Sequence, residues 1–254
     1  MSAVGPDTPI ISPISTTRLF SPLVINGATR HEKYYLATGD VVFKVENHLF
    51  RVHRYFFTRE SPAFRDMLSM PCPVGSTLEG MTDDNPINLP GVKSVDFARF
   101  LWVFYNPKYS SFDATIEEWT SILALAHFWQ FDEAKELAVT KLDKMYVPPV
   151  TKAVLARDYD VESDWALVAY ATLGARDESI TREEAGQLGF DAFVKLTEVR
   201  ERIRKQRDSS QPSSPRPVEH RPPSPSRWHP RDIVRVAQPY SQEDLDIAAS
   251  VFGL

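Results

Sequence analysis

Gly39-Asp40-Val41-Val42-Phe43-Lys44-Val45, then Glu46-Asn47-His48, then Leu49-Phe50-Arg51-Val52-His53, is the stretch that decides the fold. Val41, Phe43 and Val45 alternate with Val42 and Lys44, the period of two by which a strand presents one apolar face. The polar triplet supplies turn chemistry, and alternation resumes at Leu49. Two short strands around a three-residue turn predict a β-hairpin.

Downstream the period changes. Ser61-Pro62 predicts a helix start, because a serine hydroxyl can cap an orphan N–H and proline is tolerated at the first helical position. Phe64, Met67 and Leu68 follow at helical spacing. Residues 71–86 read as a surface loop, and Ile87-Asn88-Leu89, closed by Pro90-Gly91, as a third short strand. Ser94 is placed to cap a helix bearing Val95, Phe97, Phe100, Leu101 and Phe104, which Asn106-Pro107 stops. Thr115-Ile116-Glu117-Glu118 is a capping box opening a helix with Ile116, Trp119, Leu123 and Ala126 inward. Asp132 opens another, with Ala134, Leu137, Ala138, Leu142 and Met145 inward, ended by Pro148-Pro149. Strands first and helices afterwards give an α+β class.

The pattern stays helical at 152–159, at 164–175, after a second capping box at Thr181-Arg182-Glu183-Glu184, and at 190–204. These make residues 150–206 an α-helical extension. Residues 1–30, with Pro6, Pro9, Pro13 and Pro22, read as a disordered leader, and order is expected from near Tyr34. Residues 207–254 read as a Pro/Ser/Arg-rich disordered tail. Ser241–Phe252 is a candidate terminal helix within it, with Leu245, Ala248, Ala249 and Phe252 on one side.

Of 254 residues, 43% are hydrophobic and 25% charged, ordinary globular usage that permits a packed core. No run approaches the roughly 18 apolar residues of a membrane helix, and the start lacks the pattern of a signal peptide. A single cysteine, Cys72, can close no internal disulfide and build no multi-cysteine zinc site. The expectation is an intracellular protein, in cytoplasm or nucleus, with no membrane partner. Arg200 to Arg235 carry ten Lys/Arg against four Asp/Glu, so with a total charge of −5 the rest of the chain stands at −11. An acidic body argues against direct nucleic-acid binding.

Taken together, Gly39–Val45, Phe50-Arg51-Val52-His53-Arg54 and Ser61-Pro62-Ala63-Phe64-Arg65-Asp66-Met67-Leu68 resemble the opening of the BTB/POZ family. That family shows Asp-Val-x-Phe/Leu-x-Val, then Phe-x-Ala-His-Arg/Lys, then Ser-x-x-Phe-x-x-Met/Leu; here Val52 stands in the alanine position. The resemblance places a BTB/POZ domain at residues 32–146, with a small sheet flanked by a cluster of helices. The 71–86 loop, Leu89-Pro90-Gly91 and 100–108 resemble BTB proteins common in fungi. The resemblance implies protein partners, a homodimer, and a cullin-type ubiquitin ligase scaffold as one partner. In the family, residues matching Asp40 and Arg54 form a charge pair near a dimer groove; as residues, the two also fit a partly buried pair that orients the hairpin. His53, Tyr105, Tyr109 and Phe112 complete the expected partner or dimer surface. Pro107 disfavours a regular helix through 105–113, where the family places its short cullin-facing helix.

No phosphate loop, dinucleotide fingerprint, nucleophile elbow or zincin motif occurs, so no enzyme, catalytic residue or cofactor is expected. His48 and His53 lie five apart, on opposite faces of a strand, which makes neither a metal ligand; His127 reads as a core-edge residue. Cys72 sits between Pro71 and Pro73 with no nearby cation to activate it. Trp102, Tyr105, Trp119 and Trp129 read as core or groove aromatics. Arg200–Arg207, interleaved with Glu201, reads as the solvated end of a helix, with nuclear import as the rival. Ser214 and Ser224, each before proline, are candidate phosphosites, and Pro222–Pro225 could offer a polyproline ligand. The expected function is a non-enzymatic adaptor; the alternative is a nuclear, transcription-associated scaffold acting through partners.

Overall fold

The computed structural model describes residues 24–25, 27–71, 78–107, 113–161, 163–210 and 239–254. Two compact units divide the chain: Met1–Arg54 with Cys72–Ser94, and Tyr55–Pro71 with Val95–Leu254.

The first unit is a five-stranded sheet of β1 (Val24–Ile25), β2 (Ala28–Tyr35), β3 (Val41–Val45), β4 (His48–Val52) and β5 (Ile87–Asn88), in the order β1-β2-β4-β3-β5. β3 and β4 form the expected antiparallel hairpin, from Val41 opposite Val52 to Val45 opposite His48. Its turn has two residues and not three, because His48 already pairs. Glu46 takes the strained position at φ 51°. Its carboxylate accepts the backbone N–H of Ser94 at 2.8 Å, and that bond holds the Glu46 carboxyl below its ordinary pKa.

Order begins earlier than near Tyr34: β2 starts at Ala28, inside the stretch read as leader, and pairs antiparallel with β1 and parallel with β4. Its sequence, Ala-Thr-Arg-His-Glu-Lys-Tyr-Tyr, hides this because the strand is bulged. Arg30 pairs with Leu49 and Tyr35 with Arg51, so four residues of β2 face the single Phe50 of β4. The alternation in β3 also has a second use. Val42, on the face expected to be polar, is buried with Ala28 and Leu49, and Tyr35 packs over them.

The second unit is helical. α1 (Arg54–Glu60), α2 (Pro62–Ser69), α3 (Ser94–Tyr105), α4 (Ile116–Phe128) and α5 (Asp132–Asp143) carry its aromatic core; the first residues of α1 and α3 belong to the sheet unit. Phe57, Phe97, Phe100 and Phe131 are inaccessible to solvent, with Phe64 and Trp129 beside them. Ring centroids lie 4.9 Å apart for Phe57–Phe64 and Phe100–Phe131, and 5.5 Å for Phe100–Trp129. Ser61 caps α2 as predicted, accepting from Phe64 N–H at 3.0 Å, and its hydroxyl donates to the Trp129 carbonyl at 2.6 Å. Both capping boxes form, at Thr115/Glu118 and Thr181/Glu184.

α6 (Pro149–Asp158), α7 (Ser163–Ala175), α8 (Arg182–Leu188), α9 (Phe190–Ser210) and α10 (Gln242–Phe252) follow. Pro149 opens α6, since its missing N–H is an orphan there anyway; α5 has already stopped at Asp143. α9 continues to Ser210, past the expected tail boundary at 207. Its basic stretch is not simply solvated. Arg200 is buried and donates to the Leu173 carbonyl at 2.7 Å and to that of Asp177 at 3.4 Å, which satisfies carbonyls at the C-terminal end of α7. Glu184 is gripped by Arg176 at 2.8 and 2.5 Å, and those bonds, chiefly, hold its carboxyl down to about 2. Among the described residues, no helix is long and apolar enough to cross a membrane.

Candidate functional site

Of the six residues expected at a partner surface, the structure brings three together in the first unit. Gly39-Asp40 and His53-Arg54 meet at one end of the hairpin, where Asp40 N–H donates to the Val52 carbonyl at 3.0 Å. The Asp40 carboxylate accepts the backbone N–H of Arg54 at 2.6 Å and so caps the first residue of α1. The Arg54 guanidinium reaches Met81 Sδ at 3.8 Å, and His53 Nε2 lies 3.1 Å from the Thr38 hydroxyl. Gly39 makes the corner possible: a Cβ there would stand 2.8 Å from the backbone carbon of Arg51 and the nitrogen of Val52.

Tyr105 lies in the second unit, at the end of α3. Its ring meets Phe56 edge-on at 5.3 Å, while Phe56 stacks on Phe104 at 5.4 Å. Arg59 covers the rings of Tyr55 and Phe56 at 5.1 and 5.7 Å. Trp119 and Trp129 are core residues, and Trp102 sits 5.8 Å from Trp119. His127 meets the Tyr159 ring at 5.9 Å. Tyr109, Phe112, Cys72, Ser214, Ser224 and the 222–225 proline segment lie outside the described residues.

Two polar clusters in the sheet unit escaped the sequence reading. Asp83 accepts Arg30 Nε and Nη2 at 3.0 and 2.7 Å and the Tyr35 hydroxyl at 2.6 Å; the Arg30 guanidinium lies 4.5 Å over the Tyr35 ring. Burial, and then Asp83, push the Tyr35 hydroxyl above its ordinary pKa. Arg30 and Tyr35 are five apart, and a regular strand would point them to opposite faces; the β2 bulge reverses the parity. In that bulge His31 Nδ1 accepts the N–H groups of Lys33 and Tyr34 at 3.2 and 3.1 Å. Its ring stacks on Phe50 at 4.5 Å and meets His48 edge-on at 6.0 Å. Burial first, and His48 next, lower the His31 pKa.

A cleft of about 640 Å³ among α5, α6 and α7 is lined by Lys135, Val139, Lys152, Trp165 and Val168, among others. Lys152 is committed to Asp143 at 2.9 Å and lies 4.9 Å over Trp165, and Lys135 donates to the Asp160 carbonyl at 2.6 Å. Among the described residues, no three His, Cys, Asp or Glu converge as metal ligands.

Large apolar side chains remain exposed, with Phe128 of α4 70%, Tyr55 of α1 60% and Tyr146, between α5 and α6, 85% accessible. Such residues are the anchors that protein interfaces use. A family model, BTB/POZ domain, matches residues 30–146, the interval that holds β2 from Arg30 onward, β3 to β5 and α1 to α5. No curated protein matches the chain. BTB/POZ domains are protein–protein interaction modules, and the sheet-then-helices order, the hairpin corner and the capped α2 all fall inside the matched interval. The chain is therefore a BTB/POZ domain-containing protein.

Proposed function

We propose that this chain is a non-enzymatic intracellular adaptor that self-associates through its BTB/POZ domain and recruits protein partners to a cullin-type ubiquitin ligase. The family match over residues 30–146 carries this reading. The exposed aromatics of α1 and α4, with Tyr146 beyond α5, support it, because they offer anchors at a modest entropy cost. Light scattering on the full chain is expected to give twice the chain mass of 28.9 kDa; a monomer at micromolar concentration removes self-association. Calorimetric titration with a cullin N-terminal domain is expected to give micromolar or tighter binding, and no heat from folded protein rejects the ligase role.

The basic stretch from Arg200 to Arg235 favours a second reading, a nuclear transcription-associated scaffold acting through partners. A fluorescent fusion whose cytosolic signal is unchanged by deleting 199–235 would sink it.

A further inference from the structure

α10 lies against α7 and α9 although residues 211–241 separate it from the end of α9. The contact has the anatomy of a ligand in a receptor. At one end, Phe252 stacks on Tyr170 with centroids 3.8 Å apart and rings within 11° of parallel, and Lys195 lies 5.4 Å over the same ring. At the other end, buried Asp244 closes the α10 capping box with Ser241 and accepts Arg207 Nη2 at 3.4 Å. Arg207 also donates to the Ala175 carbonyl at the end of α7, at 3.0 Å. Between them Ala248 is fully buried, four residues from each anchor, so one face at i, i+4 and i+8 does the docking. Gln206 to Glu243 at 2.5 Å and Arg202 to Ser250 at 3.4 Å form the rim.

Residues 239–254 contain Glu243, Asp244 and Asp246 and no Lys or Arg, whereas α9 carries six Lys/Arg against Asp191, Glu198, Glu201 and Asp208, a net of +2. Of those cations Lys195, Arg202 and Arg207 reach α10. Only Asp244 and Ala248 of α10 are fully buried, and a helix of 11 residues is marginal by itself. α10 therefore owes its helix to the groove, while α7 and α9 pack on each other without it: a Cβ on Gly174 of α7 would meet Val199 of α9 at 2.7 Å.

We propose that the α7–α9 groove is a docking site for an acidic amphipathic helix of a partner protein, with α10 as its occupant in the free chain. The fitting partner helix carries a capping carboxylate, a small residue four positions on, an aromatic residue eight positions on, and no basic residue on that face. Because α10 belongs to the same chain, the partner has to outcompete an intramolecular ligand. This inference depends neither on self-association nor on a cullin.

The test uses the full chain and a fluorescein-labelled peptide of residues 239–254. Phe252→Ala weakens the resident helix without altering the groove. The F252A chain is expected to bind the peptide at least about ten-fold tighter than the wild-type chain does, because the competitor is weakened. Adding Arg207→Glu is expected to reverse most of that gain. Absence of binding to an F252A chain of native helicity, or equal binding by both chains, would overturn the proposal. Should F252A fail to fold, a protease site placed within 211–238 of the otherwise wild-type chain serves instead. After cleavage the labelled peptide should exchange into the groove, and no exchange would reject the site.

Discussion

The sheet unit and the helical unit solve the same problem by different means. The sheet has five short strands, two of them only two residues long, and it leans on polar ties between segments far apart in the chain. Asp83 holds Arg30 and Tyr35, and Glu46 holds the N–H of Ser94, while His31 closes the β2 bulge locally. The helical unit interlocks a cluster of buried aromatic rings and satisfies its helix ends locally, through capping boxes and Ser61. The apolar residues of β3 and β4 are buried, and hydrogen bonds to charged groups tie the outer segments to this hairpin. The consequence is that the two units should fail under different insults.

The largest effect is expected in the aromatic cluster. Phe100→Ala removes a fully buried ring in contact with Phe131 and Trp129 and should cost about 3–5 kcal/mol by urea denaturation. A loss under about 1 kcal/mol would mean the site collapses around the cavity and the rings are not the main prop. Next comes Ser61→Ala, which deletes a helix cap and leaves the Trp129 carbonyl without its hydroxyl donor; about 1–3 kcal/mol is expected. In the sheet unit, a double-mutant cycle of Tyr35→Phe and Asp83→Asn should show coupling of about 1 kcal/mol. Additive losses would remove Asp83 as a tie and blur the contrast between the units.

The smallest effect is in pH dependence, and it sharpens the contrast most. His31 is held neutral in the fold, since a proton on Nδ1 would eject two backbone N–H groups. Its folded pKa lies below the ordinary 6.5, so its contribution is complete above 6.5 and declines as pH falls through the lowered value. His31→Asn, whose side-chain oxygen can accept the same bonds but does not titrate, should flatten this first acid limb. Glu184 in the helical unit has its pKa lowered from 4.5 to about 2, so its contribution is complete above 4.5 and is lost toward 2. Glu184→Gln should remove only the second limb. Hydrogen exchange of segments 27–54 and 163–210 against pH separates the two; loss of both protections in a single window would contradict the scheme.

Most of the helical unit was legible. Ser61-Pro62, Thr115–Glu118 and Thr181–Glu184 are signals in which the partners sit three residues apart or closer, so the chain states its own helix starts. The hairpin was legible for the same reason, apart from one residue of its turn. Of the site, the corner of Asp40, His53 and Arg54 followed from the hairpin, because the antiparallel register that pairs Val41 with Val52 brings the strand ends together. Asp83 and Glu46 were not legible as ties. Each acts on a residue 48 positions or more away, and nothing local marks it.

What the amino-acid sequence determined by itself is thus the set of elements whose energetics are local: alternation in β3 and β4, and the caps on α2, α4 and α8. What only the tertiary structure decided is the pairing of β2 beside β4, the reversed parity of Arg30 and Tyr35, the burial of Arg200 and the seat of α10. Parallel pairing and helix docking join segments through partners distant in the chain, and their free energy appears only once both sides are in place. Ala28 to Arg30 of β2 read as leader until they pair with their neighbours in the sheet, and the candidate terminal helix has no visible seat until α7 and α9 form its groove.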